Sequence, residues 1–122
     1  GRVNQELLPE IMSRNDLFIL GLIDEPLVSK TCPSRLIYAM ANGMPIIASA
    51  RGEIMRIVLE SKCGLVSNPD SYEELVINIK KFIDMKYDQK KRISENSRSY
   101  YNQNFSRAKV FEKIYNILWL WY

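Results

Sequence analysis

Pro33-Ser-Arg-Leu-Ile-Tyr-Ala-Met-Ala-Asn-Gly-Met-Pro-Ile-Ile-Ala-Ser49 couples a helix start to a glycine stop and a buried strand. Proline suits the first helical turn, where its missing N–H would be unpaired anyway, and Ser34 or Thr31 can offer a side-chain oxygen to the neighbouring amides. Gly43 can take the left-handed conformation that ends a helix, and Pro45 opens the apolar run Ile46-Ile47-Ala48. Unpaired amides and the positive end of the dipole point the same way at such a helix start, and Arg35 adds a full charge. The corner therefore predicts an anion site, with phosphate or diphosphate as the natural ligand.

Working outward, apolar periodicity alternates between helix and strand. It predicts helix over 4–13, strand over 17–22, helix over 33–42, strand over 45–49, helix over 53–61 and strand over 64–67. This alternation argues for a parallel α/β sheet. The runs Leu17-Phe-Ile-Leu20 and Ile46-Ile-Ala48 are continuously apolar, as expected of strands covered on both faces. Three strands are few for such a sheet, so one edge is expected to pair with a preceding segment or a partner chain. From Ser71 the pattern is helical only. Tyr72, Leu75, Val76, Ile79, Phe82 and Ile83 share helical spacing, a polar basic helix follows over about 88–103, and a last one runs from about 106 to the end.

The 122 residues are 47% hydrophobic, enough for one domain with its own core. The sequence begins at Gly1-Arg2-Val3 without a methionine, which is read as part of a larger protein. No signal peptide and no apolar run of membrane-spanning length is visible, so a cytoplasmic location is expected. Two cysteines without CxxC spacing and no histidine argue against a disulfide framework or a metal cluster. Cys63 reads as a small buried hydrophobe; Cys32, just ahead of the anion corner, is also taken as inert over a stabilised thiolate.

The net charge is only +3, yet residues 80–113 hold ten Lys and Arg against four acids, a net of +6. A solvated helical face is the first reading of that stripe, contact with an anionic membrane surface the second; no nucleic-acid motif accompanies it. Ten of the thirteen residues from Val110 to Tyr122 are apolar or aromatic and run round the helix, which calls for cover on more than one side.

The pattern P-S-[KR]-x-x-x-x-M-A-x-G-x-P-[VI]-I-A-S, then Gly52-Glu53, then Cys63-Gly64-Leu65-Val66, resembles the donor-binding half of the GT-B glycosyltransferases of group 1, close to family 4. Leu7-Leu8-Pro9, Ser13-Arg14-Asn15-Asp16-Leu17-Phe18-Ile19-Leu20, Asn68-Pro69-Asp70 with Glu73-Glu74-Leu75, and Phe105-Ser106 are similar to that family's flanking segments. The resemblance implies a Rossmann-like three-layer parallel sheet followed by C-terminal helices, forming a single partial domain over residues 1–122. It implies a nucleotide diphosphate sugar as substrate, with no other cofactor and no obligatory metal. The activity implied is glycosyl transfer of hexosyltransferase type to a polysaccharide or lipid-linked acceptor, with this chain inactive alone. The rival is a degenerate remnant acting as an interaction module.

Residue by residue, the resemblance assigns Pro33, Ser34 and Arg35 to the diphosphate. Tyr38 stands where the family usually has a glutamate for the ribose hydroxyls, and a phenol cannot replace a two-oxygen anionic acceptor. The subgroup with two glutamates eight positions apart would place the first at Lys30; Glu25, thirteen residues before Tyr38, does not meet that spacing and reads first as a solvated loop residue, with a carboxylate facing the sugar as the second reading. Gly52 and Glu53 lie at the end of the second strand, where ligands of open parallel sheets bind, and Glu53 reads equally as a donor-site residue or as a favourable carboxylate in the first turn of its helix. No catalytic residue is assigned, and no histidine base exists in the chain. The family's last helix crosses onto its acceptor domain, so the aromatic segment is expected either to meet that preceding domain or to self-associate.

Overall fold

A computed structural model describes residues 4–22 and 25–121. A 3-10 turn (Gln5–Leu7) leads into α1 (Leu8–Ser13), followed by β1 (Phe18–Gly21), the single turn α2 (Pro26–Ser29), α3 (Ser34–Ala41), β2 (Ile46–Ser49), α4 (Glu53–Ser61) and β3 (Gly64–Ser67). Three helices follow: α5 (Tyr72–Asp84), α6 (Tyr87–Asn104) and α7 (Arg107–Trp121). The strands are parallel in the order β1-β2-β3, with Phe18, Ile46 and Gly64 in one register row and Ile19, Ile47 and Leu65 in the next. The fold is thus the α/β parallel sheet that the alternation predicts; α2 is an addition to it.

Side chains alternate across a strand, so each face of the sheet has its own packing. On one face Leu20, Ile46 and Ala48 join Leu36, Ala39 and Met40 of α3 and Ile54, Ile57 and Val58 of α4 in a core at most 2% exposed. Helix α5 lies on β2 and β3, and its Asn78 side chain donates to the Val66 carbonyl at 3.0 Å. Ile47 is accordingly buried, but its row neighbour Ile19 is 49% exposed. The expectation that both apolar runs are covered on both faces therefore holds for β2 and fails for β1, because α5 stops short of the edge strand.

Gly43, at φ +67°, ends α3 in the left-handed conformation that its sequence position predicts. The proline is placed differently from the expectation: Pro33 caps α3 with extended backbone (φ −65°, ψ 141°), and Ser34 opens the helix. Lys62, at φ 55°, ends α4 without a glycine.

Helix α6 packs along α3 and α4 and fastens their C-terminal ends. Ser94 Oγ donates to the Gly43 carbonyl, Arg98 Nη2 to the Asn42 carbonyl at 3.4 Å, and Asn96 Nδ2 to the Lys62 carbonyl at 3.0 Å. These bonds use carbonyls that a helix end leaves unpaired. Helix α7 meets the body mainly through α6, and its apolar residues from Val110 to Leu120 are 42% to 86% exposed. Among the described residues no helix is long and apolar enough to cross a membrane, and no group of His, Cys, Asp and Glu could hold a metal ion.

Candidate functional site

The starts of α3 and α4 follow adjacent parallel strands, so both helix N-termini stand at the carboxyl end of the sheet. Pro33, Ser34 and Arg35 form the start of α3. The cap residue Pro33 makes no side-chain cap bond, and among the described residues the Ser34 hydroxyl does not act as a capping oxygen. The Ser34 and Arg35 side chains are exposed and have no hydrogen bond or ion pair among the described residues. Tyr38 lies one turn further along, 36% exposed, with its hydroxyl unbonded among the same residues.

Gly52 caps α4 with φ 73° and ψ −132°, a backbone region that only glycine enters readily. Glu53, the first residue of α4, is held by Arg56: Nε donates to Oε2 at 3.0 Å and Nη2 donates to Oε1. The guanidinium holds the Glu53 carboxyl below the usual carboxylate range. Glu25 precedes α2, exposed and with no ion pair among the described residues. Next to the cluster, Arg51 Nη2 donates to Asn68 Oδ1 at 3.0 Å and lies 3.7 Å from Asp70, tying the loop after β2 to the loop after β3.

Cys32 is half-buried just ahead of Pro33, and burial pushes its thiol up, with the Glu53 charge adding and Arg56 opposing. That direction runs against the stabilised thiolate weighed for this position. Cys63 is wholly buried and its thiol is likewise raised by burial.

Two members of this neighbourhood have no place in the motif reading: Arg56 and Glu60. Arg56 Nη1 donates to Glu60 Oε2 at 2.5 Å, and Tyr100 Oη of α6 donates to that same oxygen at 3.0 Å. The spacing Glu53, Arg56, Glu60 is an i, i+3, i+7 pattern of acid, base and acid, so the first part of this chain of bonds is visible in the sequence once α4 is assigned.

A groove of about 830 Å³ opens at the opposite end of the sheet, between Met12, Leu17, Pro45, Phe82, Tyr87 and Lys90. Its lysine is engaged locally, with Lys90 Nζ 4.9 Å from the Phe82 ring centre and 3.4 Å from the Ile83 carbonyl. The groove therefore lies away from the paired helix starts.

No curated protein and no solved structure is similar enough to the chain to match it. The family model described as "Glycosyl transferases group 1" matches residues 1–100, which takes in the sheet, both helix starts and α6 as far as Tyr100. With that match over most of its length, the chain belongs to the group 1 glycosyltransferases.

Proposed function

We propose that this chain is the donor-binding part of a glycosyltransferase and takes a nucleotide diphosphate sugar at the carboxyl end of its sheet. The observation that carries this is the start of α3, where an extended proline cap leaves the amides beside Ser34 and Arg35 uncapped and the Arg35 guanidinium without a protein partner among the described residues. Amides aligned with a helix dipole favour a phosphate, and they gain strength as negative charge builds on a departing diphosphate. In this reading Ser34 and Arg35 hold the diphosphate, and Pro33 shapes the approach. Gly52 lets the second helix start come close, Tyr38 meets the ribose, and Glu25 lies on the sugar side. The glycosyl group then passes to an acceptor bound by residues outside this chain.

Titration of UDP, GDP and their sugar conjugates, followed by calorimetry or chemical-shift perturbation, tests the reading. Saturable binding of one nucleotide that is lost in Arg35→Ala supports it. Absence of binding at millimolar ligand overturns it for this chain.

A second reading, an interaction module, is favoured by one observation, the exposed apolar surface of α7. Single exposed hydrophobes are ordinary, but a helix apolar round most of its circumference seeks cover. A second copy or the enzyme's preceding domain would supply it.

A further inference from the structure

We propose that Arg56 is a charge-balancing residue of the donor site: it holds the Glu53 carboxylate in a two-pronged ion pair so that a diphosphate can approach, and Glu60 and Tyr100 hold Arg56. The inference rests on the donor-site reading above.

Glu53 occupies the first position of α4, on the same end of the sheet as the start of α3. An unpaired carboxylate there would repel a polyanion and offset the attraction of the uncapped amides. Arg56 cancels it with two nitrogens, Nε at 3.0 Å from Oε2 and Nη2 on Oε1, the fork geometry that suits a carboxylate best. Glu53 shares the carboxyl end of the sheet with the α3 start because α3 and α4 follow the adjacent parallel strands β1 and β2.

The third guanidinium nitrogen is occupied as well. Nη1 donates to Glu60 Oε2 at 2.5 Å, and Tyr100 Oη donates to that oxygen at 3.0 Å from across the helix interface. Arg56 therefore lies between two carboxylates, and a tyrosine on α6 fixes the remote one. Exposed ion pairs on one helix add little stability, and Arg56 is 53% exposed. Holding the fork in a set orientation beside an anion site is a role for which the same contacts are suited. Tyr100 and Glu60 are positioning residues in this scheme, since neither reaches the ligand.

The test is chemical-shift titration of UDP and GDP, and of the uncharged nucleosides uridine and guanosine, into the wild-type chain, Arg56→Gln, Glu53→Gln and the double variant. Arg56→Gln is expected to weaken nucleoside diphosphate binding about three- to tenfold and to leave nucleoside binding unchanged. Adding Glu53→Gln to Arg56→Gln is expected to restore the affinity, because the exposed carboxylate is then gone. Equal losses for charged and uncharged ligands, or no rescue by Glu53→Gln, overturn the proposal. A pH titration of the Glu53 carboxyl by carbon NMR gives a ligand-independent check: its titration moves toward the ordinary range in Arg56→Gln, and an unmoved curve overturns the proposal. A wild-type chain that binds no nucleotide diphosphate overturns the donor-site reading instead, an outcome distinct from binding that ignores Arg56.

Discussion

Gly64 stands opposite Ile46 in the β2–β3 ladder, and a Cβ built on it lies 1.5 Å from the Ile46 carbonyl oxygen. No side chain can yield there, because the obstacle is backbone. Gly64→Ala must push β3 from the central strand and weaken the bond from Ile46 N–H to the Cys63 carbonyl, now 3.0 Å. A loss of about 3–5 kcal/mol is expected, read as a large fall in the urea midpoint.

Arg35 is exposed and has no partner among the described residues, so its removal leaves folding alone. Arg35→Ala is expected to weaken nucleoside diphosphate binding by about 1.5–3 kcal/mol, the range for a hydrogen bond to a charged group. Its thermal midpoint should match the wild type within about half a kcal/mol. Calorimetric titration and thermal denaturation of the same sample separate the two effects.

Tyr38→Glu replaces a one-oxygen phenol with a two-oxygen acceptor on the same face of α3, one turn from Ser34. If ribose hydroxyls meet this position, nucleotide affinity rises about three- to tenfold. The gain should vanish for ligands without ribose, such as inorganic pyrophosphate, which gives the comparison its control.

Both thiols have raised pKa values, chiefly from burial, so both stay protonated at pH values where a free cysteine begins to ionise. With a disulfide reagent at pH 8, Cys32 is expected to react more slowly than free cysteine. Cys63 should react only as the chain unfolds. Fast labelling of Cys32 in the folded state would contradict the inert assignment.

On α7, Ile117 and Leu118 are each 55% exposed, so polar replacements there remove no core contact. Ile117→Gln with Leu118→Gln is expected to leave the unfolding midpoint within about half a kcal/mol of wild type. Sedimentation velocity over a concentration series then reads whether association falls with the apolar face. Association that is unchanged would argue against α7 as the contact.

The order of strands and helices was legible because each element carries its own period and its own stop. Ile46-Ile47-Ala48 between Pro45 and Arg51 reads only as a buried strand, and Gly43 by its position alone marks the end of α3. The one-turn α2 at Pro26–Ser29 escaped because four residues are too few to show a helical period. The exposure of Ile19 escaped for a different reason: strand composition reports what a strand can bury, whereas coverage depends on where α5 comes to rest. At the site, motif positions alone point to Ser34, Arg35, Gly52 and Glu53. The engagement of Glu53 by Arg56 follows from helix spacing, and the part played by Tyr100 needs the packing of α6 on α4, which no local pattern encodes.

The bonds from α6 to the ends of α3 and α4 close over 51 residues for Ser94 to Gly43, 56 for Arg98 to Asn42 and 34 for Asn96 to Lys62. The strand pairs, by contrast, link consecutive strands in simple sequence order. On a ribosome the sheet and its first two crossover helices are therefore available for pairing well before the clasp is synthesised. The last large piece of the matched domain to be made is thus the one that fastens the far ends of the two helices whose starts form the site.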